Sequence, residues 1–207
     1  MTEYTSLKKW LETWGDQAAN PVLVDLHHDL VYRYSESDRF YHNLNHISMC
    51  LQEFAEVASC AENRFDVELA IWYHDVIYDP RRRDNEEMSA NYATSVLNEL
   101  LEREALDDIH ELIRVTAHNR EPKSIDESIL IDIDLAIFGK PLNEFLRYEE
   151  VIRREYAWVP LIKYKKGRAE LLSRFLRRKY IYYTEHFREK YEEKARDNLS
   201  YSISKKQ

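Results

Sequence analysis

The chain has 207 residues, a formal net charge of −8 and only three glycines. Rossmann turns and P-loops need several closely spaced glycines, so the composition excludes both and disfavours barrels and sandwiches with many tight turns. Hydrophobic residues make up 44% and charged residues 33%, which is typical of a globular chain rather than of a disordered or membrane protein. We therefore predict an all-α fold, a compact bundle of many helices.

Apolar residues recur at helical spacing along most of the chain, and the five prolines fall between helices or in their first turns. Short connections predict neighbouring, mostly antiparallel helices in a single all-helical domain. Gly139 is expected to close the helix before it as a C-terminal glycine. The predicted helices cover about residues 7–14, 21–34, 44–57, 65–78, 85–100, 107–117, 124–139, 142–158, 161–182 and 184–199.

Charge is distributed unevenly. Residues 1–160 carry 32 acidic and 16 basic side chains, whereas residues 161–207 carry 6 and 14. The overall acidity makes nucleic acid an unlikely partner, and the basic end is either a solvated helical face or a patch that attracts an anionic partner. No signal core or long apolar run occurs, and Cys50 and Cys60 lie too far apart on one helix for a disulfide. We therefore predict a cytoplasmic protein with no membrane partner.

Histidine and carboxylate residues mark three segments. In RFYHNLNHISM, a helix beginning near Leu44 places His42 in the loop and His46 in the first helical turn. In AIWYHDVIYD, His74 and Asp75 lie in a strongly apolar setting, where a carboxylate beside an imidazole is costly unless both are paired or bind a cation. The structural alternatives are a surface or capped core histidine in the first segment and a pair satisfied by backbone groups in the second.

The third segment, ESILIDIDLAIFG, carries two aspartates in an apolar helix. Residues two apart on a helix point in different directions, and the same-face neighbours of Asp134 are the more apolar. We therefore expect Asp134 to be more buried than Asp132 and to need a partner more urgently. The alternative is an aspartate paired with a core histidine or arginine.

Together these segments supply four ligands from three helices. Two imidazoles and two carboxylates suit a first-row divalent ion such as Fe²⁺, Mn²⁺, Co²⁺, Ni²⁺ or Zn²⁺, which would lower the pKa of a bound water and make it a nucleophile. The alternates are His42 and Asp132. The predicted ligands are His46, His74, Asp75 and Asp134.

The phrases RFYHNLNH, AIWYHDVIYDP, DNEEMSA and DIDLAIFG, in this order, resemble the HD-domain superfamily of metal-dependent phosphohydrolases. They are similar to a group of bacterial proteins described only as predicted HD-superfamily phosphohydrolases. The resemblance runs from about Arg39 to Asn198, with the HD core at about 20–140 and the helices of 141–199 packed on it. It places the four predicted ligands on metal positions and implies hydrolysis of a small phosphate ester or nucleotide by a metal-activated water. The ion would be Mn, Fe, Ni, Co, Zn or Mg.

Phosphate-ester hydrolysis also needs proton transfer and charge stabilisation. The resemblance makes Asp79 and Glu86 plausible acid/base residues, although Asp79 also suits a turn before proline and Glu86 a helix N-terminus. His118 and Arg39 are candidates for substrate binding, since guanidinium groups match phosphate oxygens. The alternatives to a hydrolase are a metal- or nucleotide-binding module without turnover and an iron oxygenase. The sequence leaves the oligomeric state open.

Overall fold

The computed structural model describes residues 2–205. Over that range the chain forms ten α-helices and three short 3-10 helices, with no β-strand, which confirms the all-α prediction. It divides into two compact units between Leu130 and Ile131, here called unit 1 and unit 2. Among the residues that the structure describes, none of the helices is long and apolar enough to cross a membrane.

Unit 1 is built around a helix that is buried on all sides. Every residue from Asp66 to Tyr73 is buried, and the helix that carries them packs against its neighbours before and after it in the chain. The rings of Trp10 and Trp72 meet edge to face near its C-terminal end, with their centroids 5.4 Å apart. The helices are α1 (Leu7–Thr13), α2 (Val22–Tyr34), α3 (Leu44–Val57), α4 (Arg64–Tyr73), α5 (Asn85–Leu97), α6 (Arg103–Val115) and the beginning of α7 (Ile125–Asp134).

Unit 2 contains the end of α7, the 3-10 segment Leu135–Gly139 and three longer helices. Its last helix packs on the 3-10 segment and on the helix before it. Phe138 makes edge-to-face contacts with Phe145 and Phe175, so aromatic rings form much of this core. The three helices are α8 (Leu142–Glu155), α9 (Leu161–Leu176) and α10 (Glu185–Ser204).

Gly139 is required for a different reason from the one predicted. Gly139 does not have the positive φ of a helix-closing glycine in the left-handed conformation; among the described residues the glycine with a positive φ is Gly15. Instead α10 passes close to it: a Cβ added at Gly139 would lie 2.7 Å from both Cγ and Cδ1 of Tyr191. The small residue is therefore needed for close packing of the 3-10 segment on α10.

We expect Gly139→Ala to lower the free energy of unfolding by about 1–3 kcal/mol, because the added methyl group must displace a packed ring or the backbone. Gly167 in α9 is the matched control, since a Cβ there meets nothing within 4 Å. Gly167→Ala should stabilise the protein by about 0.5–1 kcal/mol, the helix-interior difference between the two residues. Urea unfolding of both variants measures the effects, and equal values for the two would contradict the close-packing explanation.

Asp66 is a buried carboxylate whose ionisation opposes folding. Its Oδ2 accepts a hydrogen bond from the Asn63 amide, whereas its buried Oδ1 has no hydrogen-bond partner. Burial, together with the charges of Asp108 and Asp126, raises the pKa of Asp66 to about 6. Because the folded-state pKa lies above the unfolded value, the stabilising contribution is complete below about pH 4 and is lost as the pH rises through 6.

Asp66→Asn should therefore stabilise the fold at pH 8 by about 1–2 kcal/mol, after allowance for the lost interaction of a carboxylate with the helix N-terminus. The gain should disappear near pH 4, where Asp66 of the wild type is protonated. Urea unfolding at both pH values measures it. A gain of the same size at pH 4 and pH 8 would show that ionisation of Asp66 is not its cause.

Candidate metal centre

Helices α3 and α4 bring two predicted ligands together. The Asn43 side chain caps α3 by accepting a hydrogen bond from the Asn45 N–H, so His46 lies in the first helical turn as predicted. His74 is the C-terminal cap of α4. Both imidazoles are buried, each 2% exposed, and their Nε2 atoms are 3.1 Å apart.

Asp75 completes a triangle of donor atoms. Its Oδ2 lies 3.3 Å from His46 Nε2 and 3.1 Å from His74 Nε2. Metal–ligand bonds of about 2.0–2.2 Å place neighbouring donors about 3.0–3.5 Å apart in octahedral or tetrahedral coordination. The three atoms therefore have the spacing of three ligands on one face of a divalent ion.

A hydrogen bond at Nδ1 of His74 determines that Nε2 is the nitrogen available to bind a metal ion. Nδ1 lies 2.9 Å from the carbonyl oxygen of Ile71, which can only accept, so Nδ1 carries the proton and donates it. In the neutral ring the lone pair then belongs to Nε2, the atom that faces His46 and Asp75. A backbone carbonyl in this position is a common outer partner of a metal-binding histidine.

The carboxyl group of Asp75 is held in its charged form. Burial raises its pKa, but the charges of His74 and His42 and the hydrogen bonds from His46 and His74 together lower it more, to well below the usual range. A bound metal ion would replace the imidazole protons that stabilise this carboxylate, because histidine binds metals as the neutral ring.

Cys50 is a member of this site that the sequence reasoning missed. One ligand atom from each of His46, Cys50 and His74 lies within 4.8 Å of the others, and all three residues are buried. The Cys50 Sγ is 3.7 Å from both ring nitrogens of His46. The available signal was its spacing, because a residue four positions after His46 lies on the same helical face. This buried cluster can hold a metal ion.

His42 lies beside the cluster. Its ring stacks on Tyr78 at 3.9 Å, and its centroid is 6.0 Å from that of His46. Since His46 Nε2 meets His74 and Asp75 directly, the geometry supports His46 rather than His42 as the ligand from this segment.

The turn after His74 departs from the predicted helix. The sequence predicts helix to Tyr78, but α4 ends at Tyr73. The buried Arg39 donates to the carbonyl oxygens of Asp75 at 2.6 Å and Val76 at 2.9 Å, and its Nε donates to Glu36. These bonds support a positioning role for Arg39, and its predicted contact with substrate stays a prediction.

Two side chains of α5 hold the rest of this turn. Asn85 accepts from the Asp79 N–H at 3.0 Å and donates to the Asp79 carbonyl at 2.9 Å. Ser89, one helical turn later, makes the same reciprocal pair with Ile77 at 3.1 Å. Both residues are buried and neither was identified from sequence. Their bonds replace the helical hydrogen bonds that the segment would otherwise form.

The two acid/base candidates lie next to this turn. Asp79 Oδ1 accepts from the Arg81 N–H at 2.9 Å, which is the turn-forming bond expected of an aspartate before proline. Glu86 is half-buried in the first turn of α5. Its neighbour Glu87 pairs with Arg114 at 2.7 Å. The catalytic roles of Asp79 and Glu86 stay predictions.

His118 follows the end of α6 in an unusual backbone conformation. Its φ is +52°, and no other residue except glycine among residues 2–205 has a positive φ. The left-handed region costs a residue with a side chain roughly 1–2 kcal/mol, and such strain is concentrated at functional positions. This supports the choice of His118 as a functional candidate.

We expect His118→Gly to raise the free energy of unfolding by about 1 kcal/mol, since glycine adopts this conformation without strain. His118→Ala is the control, because it removes the same ring and keeps the strain. Urea unfolding distinguishes them, and equal stability of the two variants would contradict the strain.

The two aspartates of α7 are arranged opposite to expectation within unit 2. Asp132 is 0% exposed and Asp134 is half-buried. Both Asp132 oxygens are used at the start of α10: Oδ1 accepts from the Tyr183 N–H and Oδ2 from the N–H and hydroxyl of Thr184, each at 2.7 Å. Asp132 is therefore a buried acceptor that holds the chain just before α10. Burial raises the pKa of Tyr148, and the charge of the Asp134 carboxylate raises it as well. That Asp134 binds the metal ion stays a prediction.

Part of the basic end of the sequence lies on one face of α9 and just after it. Lys165, Lys166, Arg174 and Arg177 line a groove along this helix together with the exposed Ile162. This arrangement is compatible with both expectations for the basic end, a solvated face and a patch for an anionic partner.

Fold and site together define an all-α protein with a buried His46–Cys50–His74 cluster that can hold a metal ion. No protein-family model, no curated protein and no solved structure matches the chain. The resemblance to the HD-domain superfamily therefore rests on the four sequence phrases themselves.

Proposed function

We propose that this protein is a metal-dependent phosphohydrolase of the HD type, acting on a small phosphate ester or nucleotide. The observation that carries the proposal is the triangle formed by His46 Nε2, His74 Nε2 and Asp75 Oδ2, with sides of 3.1, 3.3 and 3.1 Å. These three groups would hold the ion, and Asp134 stays the predicted fourth ligand. A divalent ion there would supply an activated water and stabilise charge on the phosphoryl group.

The remaining chemistry belongs to side chains near the turn that follows His74. In this proposal Asp79 or Glu86 transfers a proton to the leaving oxygen, and His118 contacts the substrate. Asn85 supports the first of these roles because it binds both backbone groups of Asp79 and fixes its position. Arg39 positions the turn by donating hydrogen bonds to the carbonyl groups of Asp75 and Val76.

Phosphate release from a panel of phosphate monoesters and nucleotides tests the proposal. The purified protein should be stripped of metal, loaded with Mn²⁺, Ni²⁺, Zn²⁺ or Mg²⁺, and compared with Glu86→Gln and with Glu87→Gln as the matched control. We expect release with at least one metal, a loss of about 10²–10⁴-fold in Glu86→Gln if Glu86 is the acid, and little change in Glu87→Gln. A fully metal-loaded protein that hydrolyses nothing in the panel would favour the binding module without turnover.

An iron oxygenase is a second candidate because the donor triangle consists of two histidines and one carboxylate. This donor set, with open positions, is typical of non-haem iron(II) oxygenases. Anaerobic loading with Fe²⁺ followed by measurement of oxygen consumption with organic co-substrates distinguishes it. Oxygen consumption together with no phosphate release would select the oxygenase.

A further inference from the structure

We propose that Cys50 is a thiolate ligand of the metal centre and biases it towards thiophilic divalent ions such as Zn²⁺, Co²⁺ and Cd²⁺ over Mg²⁺ and Mn²⁺. The proposal rests on the proposed metal centre and adds a sulfur ligand to its nitrogen and oxygen ligands. It concerns which ion is bound, whereas the proposed function concerns the reaction.

The position of the thiol supports coordination. Cys50 is 1% exposed, and its Sγ lies 3.7 Å from His46 Nε2. Metal bonds of about 2.3 Å to sulfur and 2.0–2.1 Å to nitrogen place the two donors about 3.6 Å apart at a tetrahedral angle. The measured separation therefore agrees with a shared ion. The same sulfur is also within 4.8 Å of the His74 ligand atom.

The backbone further restricts the thiol. Cys50 and His46 are one turn apart on α3, whose start is fixed by the Asn43 cap, so both side chains lie on one helical face. If position 50 only needed a small buried apolar side chain, it would not require a sulfur atom. Here the sulfur adjoins two imidazoles whose Nε2 atoms already face each other.

The chemical consequence is selectivity. Thiolate is a soft ligand that favours zinc and similar ions, whereas Mg²⁺ and Mn²⁺ prefer oxygen ligands. Coordination forms one sulfur–metal bond, breaks the S–H bond and releases the proton to solvent, with no change in oxidation state. The donor triangle and Cys50 together would supply two nitrogens, one oxygen and one sulfur, and the predicted ligand Asp134 would add a second oxygen.

Anaerobic titration of the metal-free full-length protein with Co²⁺ tests the proposal through its absorption spectrum. A thiolate–cobalt bond produces a charge-transfer band in the near ultraviolet. Wild type and Cys60→Ser should both show the band, because Cys60 is exposed and outside the cluster. Cys50→Ser should bind Co²⁺ without the band. Its affinity for Cd²⁺ should fall by at least about 10-fold, because even the loss of a residue that only supports a metal ligand typically costs that much. Its affinity for Mn²⁺ should change little.

Wild-type protein that binds one equivalent of Co²⁺ without the band would overturn the sulfur ligand and leave the His46–His74–Asp75 centre in place. A band that persists in Cys50→Ser would also overturn it. Failure of the wild type to bind Co²⁺, Zn²⁺ or Mn²⁺ at all would instead overturn the metal centre and with it the proposed function. The first of these results needs only wild-type protein, so the test does not depend on the folding of a variant.

Discussion

Replacing His74 with alanine is expected to abolish stoichiometric binding of a divalent ion. His74 supplies one corner of the donor triangle, and its Nε2 lies 3.1 Å from the donor atoms of both His46 and Asp75. Without this imidazole only two donors of the triangle remain, and the side of the ion that faced His74 is left to water even where Cys50 and Asp134 also bind. Metal analysis after dialysis, and calorimetric titration with Zn²⁺ and Mn²⁺, measure the loss.

His42→Ala is the matched control for this experiment. It removes an imidazole whose ring stacks on Tyr78 and whose centroid lies 6.0 Å from His46, outside the donor triangle. We expect it to retain one equivalent of metal. Far-ultraviolet circular dichroism establishes that both variants are helical. Full metal occupancy in His74→Ala, or loss of metal in His42→Ala with metal retained in His74→Ala, would show that the ligands are assigned wrongly.

Replacing Arg39 with alanine is expected to lower the free energy of unfolding by about 3–5 kcal/mol. The guanidinium group donates to the carbonyl oxygens of Asp75 and Val76, and less closely to that of His42 at 3.3 Å. Each buried acceptor that loses its donor costs about 1–3 kcal/mol. The loss of support next to Asp75 should also weaken metal binding by about 10–100-fold, as for an outer partner of a metal ligand.

Arg83→Ala is the control, because Arg83 lies exposed in the loop before α5 and its removal should change stability by less than about 0.5 kcal/mol. Arg39→Lys provides a second test, since lysine keeps the charge but not the planar fork that binds two carbonyl groups. We expect it to retain part of the stability and to bind metal more weakly than wild type. Unchanged metal affinity in a folded Arg39→Lys protein would contradict the positioning role and leave Arg39 with a purely structural one.

The sequence predicted those features that depend on neighbouring residues along the chain. Helical periodicity identified the all-α fold, and the start of α3 near Leu44 followed from the change in pattern there. The same reasoning placed His46 in a first helical turn and His74–Asp75 at an apolar helix end. These two segments do meet in unit 1, with donor atoms 3.1–3.3 Å apart.

Other features were decided by contacts between residues far apart in sequence. Local pattern extends α4 to Tyr78, but hydrogen bonds with the side chains of Arg39, Asn85 and Ser89 take up the backbone groups of the following turn. Helical spacing cannot reveal such bonds, because the side chains that form them lie on other segments and compete with the helix only after they have packed against it.

The aspartates of α7 and Gly139 follow the same rule. Apolar neighbours on one helical face made Asp134 the more buried candidate, yet Asp132 is the buried one because the backbone of Tyr183 and Thr184 satisfies its carboxylate. Gly139 ends its segment as the sequence suggested, but the approach of Tyr191 is what excludes a larger residue. The sequence by itself determined that the fold is helical and which segments carry candidate metal ligands. The tertiary structure alone decided which buried polar atoms meet, because their pairing depends on distances across the core that no local spacing sets.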